Sequence, residues 1–185
     1  RAQRAFEIAG RGLRPRRGNR TGRGRAGAAG VSELLDLRLG DRRNPPLDEQ
    51  VPLVICPFRS YLHLDDDGER IEALEAARAT LVPGGRLIFD VFAPMPDDIA
   101  ETHGRWLERE PGIYERAHWD EDARTLTLSV RGPEGAATMS LAWISRDEWQ
   151  ELLEEAGFEV EAVYGWFDRT PYRDGEDMIF VARRT

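Results

Sequence analysis

The chain contains no lysine: all 26 basic residues are arginine. That absence reads as the coding bias of a GC-rich, bacterial genome rather than as chemistry. Cysteine is almost as scarce. Cys56 stands alone, so no internal disulfide is expected, and a reducing cytoplasm is the expected setting. No apolar run approaches the roughly 18 residues of a membrane helix, so no membrane span is expected. No charged-then-apolar leader opens the chain, so no secretory signal is expected. The first residue is Arg1 and not Met, which leaves room for residues upstream. The three histidines, His63, His103 and His118, show no ligand spacing with Cys56 or with one another. No metal site is expected from them, and no Walker motif occurs.

The 185 residues, 41% of them apolar, suffice for one domain with a real core. Charge is unevenly placed. Residues 1–30 hold nine Arg and one Glu, so the remainder carries −16 of a chain total of −8. Residues 1–12 read as the tail of an amphipathic helix closed by glycine. Residues 13–29 (LRPRRGNRTGRGRAGAA) are Arg/Gly-dominated, bury too little to hold a core position, and are expected to be disordered. The expected layout is an Arg/Gly-rich, partly disordered segment over 1–30 and a globular domain over 31–185. A polybasic arm also suggests salt-dependent, non-specific nucleic-acid binding. The acidic body argues against this, and residues 13–29 offer no aromatic ring for stacking.

From Val31 onward the elements follow from pattern. Leu35–Leu39 alternates as a strand, and Val51–Cys56 is a second. Asp66 with Glu69 is a capping-box-like start, after which Ile71, Leu74, Ala77 and Leu81 mark one helical face. Pro83-Gly84-Gly85 ends that helix. Leu87-Ile88-Phe89-Asp90-Val91-Phe92 lacks polar alternation and reads as a strand covered on both faces. Strand, helix and strand together imply a right-handed parallel crossover. Residues 95–144 read as an inserted antiparallel meander, with strands near 112–119, 124–131 and 137–143 and with Trp106, Trp119 and Trp143 in its core. Ser145 and Glu148 form a capping box ahead of Trp149, Leu152, Leu153 and Ala156, and Gly157 closes that helix. Residues 158–164 and 178–182 are the last strands, joined by a long hairpin loop.

Several of these stretches together resemble class I S-adenosylmethionine-dependent methyltransferases of the bacterial small-molecule type. Leu81-Val82-Pro83-Gly84-Gly85-Arg86-Leu87 is similar to the run into that family's fifth strand. Leu39-Gly40-Asp41-Arg42 resembles the turn after its third strand, and Val54-Ile55-Cys56-Pro57-Phe58-Arg59-Ser60-Tyr61-Leu62-His63 its fourth strand and following loop. The resemblance covers about residues 35–184. It implies an α/β, Rossmann-like methyltransferase sheet with an antiparallel C-terminal hairpin and the inserted meander. It implies S-adenosylmethionine as cofactor, with Asp41 accepting from the adenine amino group, the Arg42 backbone facing the ring, and Cys56, Pro57 and Phe58 lining the methionine part. It places the last hairpin, with Asp168 and Tyr172, beside the acceptor pocket. By their own chemistry, Arg59 can pair with an acidic group of the substrate, and His63 can act as general base toward a hydroxyl or amine of a small-molecule acceptor.

Each residue also has a plainer reading. Asp41 is a common turn former. His63 can cap or orient the helix after it, and Cys56 can be a buried small hydrophobe. Arg59 can pair with neighbouring carboxylates. Asp168 and Pro171 can stabilise a turn, and Asp90 must be paired or face an edge.

The family's first strand, its Gly-rich turn and the acid ending its second strand have no counterpart here. Residues 5–12 resemble the helix after that turn. Gly22-Arg23-Gly24-Arg25-Ala26-Gly27 matches G-x-G-x-x-G only formally, because no strand precedes it. The expectation is a sheet truncated in its N-terminal half, with residues 13–27 out of register with the ancestral reading frame. A non-catalytic, methyltransferase-like fragment without cofactor binding is therefore the alternative to an enzyme.

Overall fold

A computed structural model describes residues 24–36, 38 and 40–185. The expectations for residues 1–23, and for Leu37 and Leu39 within the strand expected at 35–39, lie outside the described residues. Within that stretch Leu35 lies in a β-bridge, and Asp36 and Arg38 belong to no regular element. Residues 24–28 form a helical turn in which Ala26 is buried.

The main sheet has strand order β1-β2-β8-β7. Strand β1 is Val51–Cys56 and β2 is Leu81–Phe92; they run parallel and are joined across helix α1, Asp67–Thr80. Strands β7 (Phe158–Tyr164) and β8 (Asp177–Arg184) form the C-terminal hairpin, with β8 antiparallel to both β2 and β7. The crossover and the hairpin are therefore as the sequence implies. The Pro-Gly-Gly turn is not: α1 ends at Thr80, and Leu81 already pairs with Val51. Pro83, Gly84 and Gly85 make a bulge inside β2, where the register shifts. Gly84 has φ +74°, and a Cβ on Gly85 would lie 2.9 Å from the Val82 carbonyl oxygen. The bulge thus needs both glycines.

The core lies on one face of this sheet. Leu87, Phe89 and Val91 of β2 and Met178, Phe180 and Ala182 of β8 are buried there under Leu74 and Ala77 of α1 and under helix α3, Arg146–Glu155. Trp149 of α3 is fully buried against Phe89 (ring centroids 5.3 Å) and Tyr61 (6.1 Å). The expectation that both faces of β2 are covered fails for the described residues. Arg86 is exposed, Ile88 and Asp90 are half-buried, and Leu53 and Ile55 of β1, which share that face, are 44% and 57% exposed. Burial on one side alone requires only Leu87, Phe89 and Val91 to be apolar, so the absence of polar alternation misleads here.

Between β2 and α3 come helix α2 (Pro96–Thr102) and a four-stranded antiparallel meander: β3, Trp106–Glu110; β4, Ile113–Asp120; β5, Thr125–Gly132; β6, Gly135–Ala142. The three expected strands are present; α2 and β3 add to them. Trp119 packs edge-to-face on Phe92 and Trp143, and its indole Nε1 donates to Thr102 Oγ1 at 2.8 Å. This seats the meander on the end of β2. Trp106 is not in that core. It lies on the opposite face of the meander, under the guanidinium groups of Arg131 and Arg116, 4.1 and 4.9 Å from its ring centroid. No helix among the described residues is long and apolar enough to cross a membrane.

Helix α3 begins as its sequence dictates. Ser145 Oγ accepts from the Glu148 amide at 3.3 Å, and Glu148 Oε2 accepts from the Ser145 amide at 2.8 Å. Gly157 closes the helix at φ +79°. Partial burial opposes the charge on Glu148, but Arg124 and Ser145 outweigh it and hold the carboxyl down at about 2, against 4.5 unperturbed. A pKa lowered by folding stabilises the native state above the unfolded value and loses that contribution as pH falls. The stability gap between wild type and Glu148→Gln is therefore expected at neutral pH and should close as pH drops from 4.5 toward 2. Urea titrations of both proteins across that range check this; a gap independent of pH would contradict it.

Candidate functional site

In an open α/β sheet, ligands bind beyond the carboxyl ends of the parallel strands. Here that end gathers the end of β1, the end of β2, the start of β8 and the loop from β7 to β8. Cys56 closes β1, and Pro57 to Ser60 follow as a tight loop into a 3-10 turn, Ser60–His63. Two consecutive residues of this loop are left-handed, Phe58 at φ 60° and Arg59 at φ 54°. Phe58 is 88% exposed. An aromatic ring presented to solvent from strained backbone is an informative combination, because such strain clusters at ligand clamps.

The loop is pinned from three directions. The Arg59 amide donates to Asp90 Oδ2 at 3.1 Å, and Arg59 Nη2 donates to Asp177 Oδ1 at 2.7 Å. The Arg59 guanidinium also lies 4.7 Å from the centroid of the Phe92 ring. Burial raises the Asp90 carboxyl above its usual range, opposed by the Arg59 and Phe58 amides. Burial also raises Glu176, against the attraction of Arg59. Arg59 thus pairs with neighbouring carboxylates, and Asp90 bonds to a nearby loop.

The turn at 41–44 joins this rim. Arg42 Nη1 donates to the Ser60 carbonyl, bringing the turn against the β1 loop. Asp41 accepts from the Arg43 backbone amide at 3.0 Å and from Arg43 Nη2 at 2.8 Å, and Arg43 Nη1 reaches Glu69 Oε1 at 2.6 Å. Asp41 therefore shapes its own turn while lying next to the loop. Cys56 faces the core, and burial pushes its thiol up to about 11. It is a neutral small hydrophobe and not a nucleophile.

His63 does not cap α1. That role belongs to Asp66, whose Oδ1 accepts from the Glu69 amide at 2.8 Å. His63 instead meets the backbone of Ser140 in β6. Burial lowers its pKa, and the charge on Arg42 lowers it further. The imidazole is therefore neutral at neutral pH, the form that can accept a proton.

The remaining expected residues sit apart from this cluster. Asp168 accepts from the Thr170 amide at 2.9 Å and is held below the usual carboxylate range by it. The Tyr172 amide donates to the Val163 carbonyl at 2.9 Å, and its hydroxyl donates to the Gly175 carbonyl at 3.2 Å. Both residues shape the β7–β8 loop at the same end of the sheet; for Asp168 this is the turn reading. An open polar depression that includes Tyr172 faces the edge strand β7, two strands from β2. Sequence reasoning did not single out Asp177 and Glu176. Their only signal is an acidic pair directly before the apolar run Met178–Ala182. No metal-ligating cluster occurs among the described residues.

No family model matches the chain, and no curated protein does. Solved structures do. Over its whole length the chain superposes on an S-adenosylmethionine-dependent methyltransferase from Clostridium acetobutylicum with TM-score 0.81, at 11% identity, covering 75% of that chain. The CcbJ methyltransferase from Streptomyces caelestis matches 88% of this chain and 69% of its own, at TM-score 0.74 and 21% identity. CalS10, an amino pentose methyltransferase from Micromonospora echinaspora solved with S-adenosylmethionine bound, matches all of this chain and 84% of its own, at TM-score 0.59 and 21% identity. The fold is thus the Rossmann-like methyltransferase fold, with the meander as an insertion after β2.

Proposed function

We propose that this chain is an S-adenosylmethionine-dependent methyltransferase acting on a small-molecule acceptor. The observation that carries the reading is the β1 loop. At the carboxyl end of β1, a left-handed Phe58-Arg59 pair presents an exposed ring beside the Asp41–Arg42 turn. Structures of this fold include methyltransferases described as S-adenosylmethionine-dependent or solved with that cofactor.

The residues present suit the cofactor chemically. Asp41 offers a carboxylate to the adenine amino group, and the Arg42 backbone faces the ring. Phe58 offers an apolar surface, and Pro57 and the backbone of Cys56, whose neutral thiol turns to the core, border the methionine part without a competing charge. The bound sulfonium supplies an already activated methyl group. The protein then has to align donor and acceptor and keep water out. The meander and α2 roof that end of the sheet and set the acceptor. In this reading Arg59, Asp168 and Tyr172 stand on the acceptor side. His63, neutral at working pH, takes the proton that the acceptor loses.

Asp41→Ala tests the assignment. It is expected to weaken S-adenosylmethionine binding about tenfold, the worth of one charge-assisted hydrogen bond. The thermal midpoint should fall only modestly: the turn loses its acceptor for the Arg43 amide, but Arg43 keeps its ion pair with Glu69. Unchanged affinity by calorimetry would remove Asp41 from the site.

A further inference from the structure

The side chain of Asp90 stands where the strand would accept an apolar residue. Every other position from Leu87 to Phe92 is apolar, and Asp90 is half-buried opposite Ile179 of β8. A carboxylate in such a place costs solvation. The Arg59 amide donates to its Oδ2 at 3.1 Å, and the Phe58 amide also faces it. These two amides belong to the two consecutive left-handed residues, Phe58 and Arg59. A non-glycine pair of that kind persists only where its surroundings over-determine it.

The Arg59–Asp177 ion pair and the Ser60 Oγ to Pro57 carbonyl bond, at 2.7 and 2.5 Å, hold the flanks of the loop. Asp90 holds the amides of the loop's strained backbone, while the Leu62 amide donates to the Arg59 carbonyl at 3.0 Å. The strand itself is secured by β1 and β8 pairing on either side, so the carboxylate adds nothing that β2 needs in order to form.

We propose that Asp90 is the positioning residue of the cofactor rim: its carboxylate fixes Phe58 and Arg59 in the left-handed turn and so sets where the Phe58 ring stands. The role of the rim rests on the methyltransferase reading; the latch itself does not. Asp90 touches neither cofactor nor acceptor and acts through the loop.

Asp90→Leu and Asp90→Asn separate this role from plain support of the fold. Three quantities are read for each: thermal midpoint, amide hydrogen exchange at Phe58 and Arg59, and S-adenosylmethionine affinity by calorimetry. Asp90→Leu is expected to keep or raise the midpoint, since it puts an apolar group in an apolar strand. Exchange at the two amides should speed up, and affinity should fall about tenfold, the loss of one charge-assisted bond. Asp90→Asn keeps a carbonyl acceptor and should recover most of the affinity. Asp90→Ala carries the same expectations as the Leu variant if the latter fails to fold. Exchange and affinity both unchanged in the Leu or Ala variant would overturn the proposal, and so would faster exchange with unchanged affinity. A wild-type chain that binds no cofactor would sink the methyltransferase reading instead; amide exchange would then decide the latch alone.

Discussion

Trp149→Ala is expected to destabilise the protein by about 3–5 kcal/mol, the range for truncating a buried aromatic in a packed core. Trp149 is fully buried. It is the point at which α3, the 3-10 turn and β2 meet, through Tyr61 and Phe89, and Phe89 in turn stacks on Phe180 of β8 at 5.1 Å. Removing the indole opens a cavity that rigid neighbours on three elements cannot close. Since whole domains hold only about 5–15 kcal/mol of net stability, the variant should be partly unfolded near physiological temperature. Trp149→Phe is expected to cost far less. Among the described residues the indole Nε1 has no hydrogen-bond partner, so the smaller ring leaves no orphaned acceptor behind. Urea unfolding of the three proteins, compared at constant slope, checks the ranking; equal costs for Ala and Phe would contradict it.

Arg70→Ala is the second large effect, expected at about 2–4 kcal/mol. Arg70 is 3% exposed, which is rare for an arginine. Its Nη2 donates to the carbonyls of Leu64 and Ala142 at 3.1 and 3.2 Å, and its Nη1 reaches Asp67 at 2.7 Å. The guanidinium therefore ties the end of the His63 turn to the last strand of the meander. Asp67 is 66% exposed and can be resolvated, so the loss should stay below the figure for a fully buried ion pair. The two carbonyls lose their shared donor. Arg70→Met keeps the stem packing and should recover roughly half the loss. A Met variant as unstable as the Ala variant would show that the donors, and not the volume, account for the whole effect.

Much of this was legible in the sequence, and the reasons differ by region. The capping box of α3, its closing Gly157, the β1–α1–β2 crossover and three strands of the meander follow from local signals that the tertiary structure does not oppose. The Pro-Gly-Gly turn was misplaced because a bulge inside a strand and a turn before one use the same residues. Which face of β2 is buried depends on partners far along the chain, so β2 looked more enclosed than it is. Trp106 was assigned to the core on hydrophobicity alone. Its position under Arg116 and Arg131 is a cross-strand effect that one strand cannot reveal.

Family-like stretches single out the β1 loop and the Asp41 turn, which Arg42 brings together by donating to the Ser60 carbonyl. The plainer readings held for Arg59, which pairs with Asp177, and for Asp168, which shapes its own turn. The convergence of Asp90 and of the Glu176–Asp177 pair on Arg59 could not be read beforehand, because the acids come from two segments far from Arg59 in the chain.

The proposed rim, formed by the Asp41 turn and the Phe58–Arg59 loop, is expected to grip S-adenosylmethionine. Calorimetry of the wild-type chain with that cofactor tests it most directly. Saturable binding, one molecule per chain, is the predicted result; no heat of binding at millimolar cofactor, from a chain whose folding is confirmed in the same sample, would contradict it.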